Sequence, residues 1–396
     1  MDGLVYLDNQ STTPVDPLVL EHMLPFFTTT FGNASSSEHF YGWEAMDAVD
    51  KSRSIIAKSI QADKSEILFT SGATEANNMI LKGIRSNNGQ IPHIITAATE
   101  HKCILDTLKK NQTTIASTIL PVDSNGRINL DELIAAIQPN TVLVSIMFAN
   151  NEIGTIHPVK EIGAICRQHN ILFHTDAAQA IGKVNINVED MNIDFLSASA
   201  HKIYGPKGVG FLYARKQHTS KIAALLNGGG QERGLRSGTL NTPGIVGLGK
   251  AIELAKRQFE EHFWKYLQLR NYLYTQIKMR FPEATLNGCE LDNVEYLQQY
   301  FSAIEASQKL QRLPNNLSIS FKNLPALDLI KQARRVAVST GSACSSSTVE
   351  PSHVLLSIGL PEKAVLSTVR FGVGRFNTKE EIDFVVDQLV NACQNL

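Results

Sequence analysis

The sequence predicts an α/β protein with a large, mostly parallel seven-stranded sheet and a smaller α+β unit. Three observations carry that expectation. Short β-branched runs alternate with helix-period segments between residues 65 and 215, the pattern of a parallel sheet covered by helices. Of 396 residues, 43% are hydrophobic and 19% charged, enough apolar material for a packed core. Unusual polar residues cluster just after the predicted strands, where open α/β sheets bind ligands.

Taken in order, the predicted strands are 67–70, 93–97, 115–121, 142–148, 171–175, 194–197 and 209–213, each a short run of β-branched and apolar residues. Helices are expected over 75–84, 130–137 and 159–169, where apolar residues recur every three to four positions. From 242 to 280 a helical stretch opens with Pro243 and is rich in Leu, Ala, Lys and Glu. The tail reads as strands at 316–321 and 335–339, a loop, a helix from Pro351, a strand at 367–371 and an amphipathic helix from Lys379. The expected division is a large domain over 15–260 and a small one formed by 1–14 with 261–396. The polar stretch 290–311 reads as a surface excursion.

Composition excludes several classes of function. Lys+Arg 37 against Asp+Glu 38 leaves a net charge of −1, without the cationic field of a general nucleic-acid binder. No apolar window approaches the ~18 residues of a membrane span. The start, MDGLVYLDNQSTTP, lacks secretory and transit features, so a cytoplasmic location is expected. The five cysteines contain no C-x-x-C pair, which argues against a disulfide framework or a metal site.

Five strand ends offer chemistry to one crevice. FTSGATEANN places Ser71, Gly72, Ala73 and Thr74 at a helix start, suited to a phosphate, although an ordinary capped helix has the same look. TEHKC supplies His101, and ANNEIG supplies Asn151. HTDAAQ puts Asp176 directly after a strand, where a carboxylate can face a protonated pyridine nitrogen or simply cap the next helix. SASAHKIYGPKG offers two candidate Schiff-base lysines, Lys202 and Lys207, beside His201, and spacing does not choose between them. The glycine-rich loop NGGGQERGLRSGTLNTP, with Arg233, Arg236, Ser237 and Thr239, reads as a binding loop but lacks the P-loop pattern. Cys344 lies in STGSACSSSTVEPSH among small polar residues, unlike a buried structural thiol, and so reads as a nucleophile or carrier. Cys103, Cys166 and Cys393 read as packing residues.

Together these segments resemble the pyridoxal-phosphate-dependent cysteine desulfurases that supply sulfur for iron–sulfur clusters and tRNA thiolation. The likeness runs from YLDNQSTTPVDP to VRFGVGRFNT, almost the whole chain. It implies the fold-type I architecture of such enzymes, with the small domain carrying the loop of Cys344. It also implies Lys202 as the Schiff-base residue, Asp176 on the pyridine nitrogen, Gln179 on the phenolic oxygen and His101 stacked on the ring. Ala73, Thr74, Ser199 and His201 would hold the phosphate, joined by Thr239 from the partner subunit of a homodimer. Asn151 would serve both cofactor and substrate, Arg370 would receive the substrate carboxylate and Asn33 would line the same site.

The activity so implied converts L-cysteine to L-alanine. Lys202 moves the α-proton, His101 handles the substrate thiol proton, and Cys344 takes the sulfur as a persulfide for an acceptor protein. The loop sequence favours the class with a long mobile cysteine loop. Ala34 stands where the family usually has Pro, the stretch 287–320 is longer than in typical relatives, and many relatives continue past the point where this chain ends. Two alternatives stay open: a selenocysteine lyase or related pyridoxal phosphate enzyme in which Cys344 is incidental, and a weakly catalytic docking subunit of a sulfur relay.

Overall fold

A computed structural model describes residues 3–85, 89–340 and 350–396. Its strands are β1 (Val5–Tyr6), β2 (Ile67–Thr70), β3 (His93–Ala97), β4 (Ala116–Leu120), β5 (Thr141–Ser145), β6 (Leu172–Asp176), β7 (Phe195–Ser199), β8 (Gly210–Ala214), β9 (Thr285–Leu286), β10 (Asn316–Ser320), β11 (Val336–Ala337) and β12 (Thr368–Gly372). Seven of them form the central sheet in the order β2-β8-β7-β6-β5-β3-β4. Only β8 runs against its neighbours, so the other six carboxyl ends lie along one edge. The chain steps outward from β3 to β4, then returns to the other side of β3 at β5. That reversal opens a crevice at the strand ends.

The helices used below are α1 (Pro17–Met23), α2 (Pro25–Thr28), α3 (Phe40–Ser59), α4 (Ala73–Gly83), α5 (Lys102–Lys110), α6 (Leu130–Ala135), α7 (Val159–Gln168), α8 (Thr242–Arg257) and α9 (Phe259–Arg280). Successive strand residues serve opposite faces. Phe69, Ile95, Val144, Leu196 and Phe211 join a core with residues of α3, α7 and α8. Their neighbours Leu68, Ile94, Leu143, Phe195 and Leu212 pack instead with Met79, Ile80, Ile104 and Leu108 of α4 and α5. Both faces are dry, which is why these strands read as nearly continuous apolar runs. Each fully buried aliphatic or aromatic side chain contributes about 1.5–3 kcal/mol.

The long helical stretch is two helices, broken at Gln258, whose φ of −102° and ψ of 17° leave the helical region. α9 gives Phe263 and Leu267 to the large core, and Tyr266, Leu269, Leu273 and Ile277 to a second core. That second core lies under an antiparallel sheet in the order β12-β10-β9 and is completed by the C-terminal helix Lys379–Gln394. Thr378 and Glu381 form a reciprocal capping box at the start of that helix.

Two further expectations change. α3 was not foreseen: Phe40, Tyr41, Trp43 and Met46 are exposed while Ala45, Val49 and Ile56 are buried, so apolar residues surround the helix and blur its period. The stretch 290–311 is more than a surface excursion, since Leu297, Ala303, Ala306 and Leu310 enter the large core. Two buried arginines anchor it. Arg312 donates to the Cys289 carbonyl at 2.9 Å and to Asn316 Oδ1 at 3.1 Å, and Arg270 donates to the Leu313 carbonyl at 3.1 Å.

Candidate active site

A cavity of about 300 Å³ opens at the carboxyl edge of the sheet. It is lined by Ala73, Thr74, His101, Asn151, Asp176, Gln179, Ser199, His201, Lys202 and Arg370, so ten of the predicted site residues converge. Size alone does not mark the site. A larger cavity of about 500 Å³ lies at the amino ends of β5 and β6, lined by Thr141, Leu172, Arg167 and Asp194, and holds none of them.

The turn from β2 into α4 is the first wall. Gly72 caps α4 with φ 152°, and a Cβ there would meet Ser199 Oγ at 3.2 Å. Ser199, at the end of β7, accepts the Ala73 N–H at 2.7 Å and so fixes the helix start against the neighbouring strand. The first-turn N–H groups and the positive end of the helix dipole define an anion site there.

Asp176 ends β6 and is buried. Its Oδ2 accepts from Asn77 Nδ2 at 2.7 Å and its Oδ1 from the Ala178 N–H at 2.9 Å. Lys202, in the single 3-10 turn after β7, donates to the carbonyls of Gln10 and Ser11 at 2.5 and 2.6 Å. Gln179 Nε2 donates to the same Gln10 carbonyl at 2.9 Å, while its Oε1 is buried without a partner. The N-terminal strap therefore closes over the lysine. Lys202 lines this cavity and Lys207 does not.

His201 Nδ1 lies 3.1 Å from Thr12 Oγ1. Burial, with the charges of Lys202, Lys207 and Lys183, lowers its pKa to about 4, so the ring is neutral at pH 7. His101 caps α5, and its Nδ1 accepts the Cys103 N–H at 3.1 Å, which assigns the proton of the neutral ring to Nε2. Beside it Glu100 is fully buried: Oε1 accepts the Met147 N–H at 2.6 Å, and burial, reinforced by Asp176, pushes the carboxyl well above the usual range.

Arg370, on β12, reaches the cavity from the second sheet. Its Nη2 donates to Asp8 Oδ1 at 2.8 Å and its Nη1 to the Asn151 carbonyl at 3.2 Å, leaving Nε buried without a partner. The next residue, Glu152, accepts from Ser352 Oγ at 2.5 Å and so ties the strand-end loop to the residues that follow 341–349.

Two predicted residues stand elsewhere. Asn33 and Thr239 are exposed and line no part of this chain's cavity. Cys344 lies outside the described residues. In the glycine-rich loop Arg236 pairs with Glu75 at 2.7 Å and Arg233 donates to the Ile67 carbonyl at 3.1 Å, so both arginines hold the loop to β2 and α4. Cys103 is corrected in the other direction, for it lines the cavity and its Sγ accepts from Asn77 Nδ2 at 3.2 Å. Sequence reasoning missed Asp8, Gln10, Asn77, Glu100 and Lys183. The only available signal was the polar run DNQST beside an apolar strand.

A seven-stranded α/β sheet presenting a lysine, a carboxylate and an arginine at its carboxyl edge defines the class, and comparison with known proteins agrees. The family model described as aminotransferase class-V matches residues 5–385, so the chain belongs to that family. Within it the chain belongs with the cysteine desulfurases. A cysteine desulfurase IscS of Rickettsia prowazekii (strain Madrid E) is 48% identical over 99% of this chain and 92% of the relative. A mitosomal cysteine desulfurase of Encephalitozoon cuniculi (strain GB-M1) is 45% identical over 99% of this chain and 87% of its own. Among solved structures, a NifS-like protein superimposes with a TM-score of 0.87 at 36% identity, covering 99% and 100% of the two chains. SspA in complex with cysteine gives 0.78 at 36%, covering 94% and 99%.

Enzymes of this family use pyridoxal phosphate, and the residues present fit it. The cavity has an anion site at α4, a carboxylate at β6 for a ring nitrogen, an unpartnered buried Gln179 Oε1 and a lysine amino group at one wall.

Proposed function

We propose that this chain converts L-cysteine to L-alanine and transfers the sulfur through Cys344, as a persulfide, to an acceptor protein for cluster assembly or tRNA thiolation. The observation that carries the reading is the meeting of Lys202, Asp176, Gln179 and Arg370 in one cavity. When bound, pyridoxal phosphate supplies an electron sink. The chain supplies position and protons. The pyridine nitrogen is assigned to Asp176 and the phosphate to Ala73, Thr74, Ser199 and His201. Arg370, already oriented by Asp8, is assigned the substrate carboxylate, and its unpartnered Nε is a donor for it.

Lys202 removes the α-proton. His101, with its proton on Nε2, is placed at the same cavity to exchange a proton with the substrate sulfur. The Cys344 thiolate then forms the S–S bond as the carbon–sulfur bond breaks. That electron pair stays with the carbon fragment, which is protonated and leaves as alanine.

The working form is proposed to be a homodimer. Phe27, Phe31, Phe40 and Trp43 are 55–63% exposed around α1–α3, an apolar surface that supports burial against a second copy. In that dimer Thr239 would serve the partner's cavity. Among the described residues no helix is long and apolar enough to cross a membrane, and we place the protein in a reducing aqueous compartment.

The test is colour and product together. The protein loaded with pyridoxal phosphate should be yellow, borohydride should fix the group to Lys202, and Lys202→Ala should lose both band and alanine release. A Lys202→Ala protein that still makes alanine from cysteine would overturn the reading.

A further inference from the structure

Lys183 is 6% exposed and stands on the turn that follows Gln179. Its Nζ donates to the main-chain carbonyls of Gln179 at 3.1 Å and of Lys202 at 3.3 Å. Among the described residues no carboxylate accepts from it. The titratable groups facing it are Lys202, Arg375 and the neutral His201. Arg375 is itself compensated, 3.0 Å from Asp16 and stacked 3.8 Å over the Tyr204 ring. A buried amino group beside the Schiff-base lysine, with no counter-ion, is absent from the reaction as set out above.

We propose that Lys183 is a positioning residue for Lys202: its amino group ties the backbone segments carrying Gln179 and Lys202 together, and its charge disfavours a second cation on Lys202. The inference rests on the pyridoxal phosphate reading. Both bonds run to carbonyl oxygens, so the amino group must donate, and it joins two segments that meet only in the fold. A buried lysine and a half-buried one beside it cannot both hold a proton without a Coulomb penalty, to which burial of Lys183 adds a desolvation cost. Burial, then Lys202 and Arg375, lowers Lys183 to about 7. A nearby cation is a known way to activate a lysine nucleophile.

Lys183→Met removes the charge and both donors and roughly preserves length, while Lys183→Arg keeps the charge. The loaded protein is titrated by its visible absorbance, and the apo-protein by the pH dependence of Lys202 acetylation with acetic anhydride, read by peptide mass. In Lys183→Met both midpoints should rise by about one pH unit, whereas Lys183→Arg should stay at or below the wild-type midpoints. A merely structural lysine would lower the melting temperature in the variants and leave both midpoints unmoved; that result overturns the proposal. If Lys183→Met does not fold, Lys183→Gln is read by the same two titrations. A wild-type protein with no visible band would instead overturn the underlying cofactor assignment.

Discussion

Asn77 Nδ2 lies 2.7 Å from Asp176 Oδ2, and the same amide nitrogen lies 3.2 Å from Cys103 Sγ. Asn77 is fully buried on α4, one turn below the phosphate-type helix start, so a single helix presents both an anion site and the donor that orients the carboxylate. Removing that donor should weaken the grip on the cofactor ring. For Asn77→Leu we expect pyridoxal phosphate to bind about 10- to 100-fold more weakly, the range of a hydrogen bond to a charged group. Equilibrium dialysis followed at the visible band measures it. Unchanged affinity would show that the Ala178 N–H alone holds Asp176.

The Arg370–Asp8 contact predicts a separation of substrate binding from cofactor binding. Arg370→Lys cannot reproduce a bidentate fork. Its KM for cysteine should rise at least about tenfold while the visible band is retained. A rise in cofactor loss without a change in KM would move Arg370 out of the substrate role.

Glu100 yields a pH prediction whose sign follows from its raised carboxyl pKa. In the fold the group stays protonated above its ordinary value of 4.5, whereas the unfolded chain releases that proton. The native state then binds more protons than the unfolded one, and the stabilising effect is lost as pH rises above 4.5. Glu100→Gln keeps the shape and removes the titration. Its unfolding free energy should match wild type near pH 4 and exceed it increasingly as pH rises above that, with a limiting slope of about 1.4 kcal/mol per pH unit. Parallel curves across that range would contradict a buried neutral carboxyl.

The anchoring of 290–311 predicts a large stability effect far from the cavity. Arg312 is fully buried and holds the carbonyls of Asn287 and Cys289. Arg312→Met leaves those acceptors unpaired, and denaturant unfolding should lose about 3 kcal/mol or more. A loss under about 1 kcal/mol would show that the segment is held by its apolar residues alone.

Much of this was legible in the sequence because parallel strands concentrate chemistry at one edge. The motifs holding Thr74, His101, Asn151, Asp176 and Lys202 each follow an apolar run, and the fold brings those runs side by side. Two of the missed residues act across long separations, Asp8 with Arg370 and Gln10 with Lys202, while Lys183 donates to two main-chain carbonyls. No local pattern distinguishes such side chains from solvated ones. In the glycine-rich loop the sequence does not show that Arg233 and Arg236, which cluster there, are used by β2 and α4. The expected surface stretch 290–311 hid its anchors outside itself, in Arg270 and Arg312.

The central claim, sulfur transfer from cysteine through one thiol, is tested most directly with sulfur-labelled L-cysteine and the loaded protein. The expected result is one labelled persulfide on Cys344 for each alanine released in the first turnover, with Cys344→Ser retaining the visible band but forming neither persulfide nor sulfide. Alanine release from Cys344→Ser at the wild-type rate would contradict it.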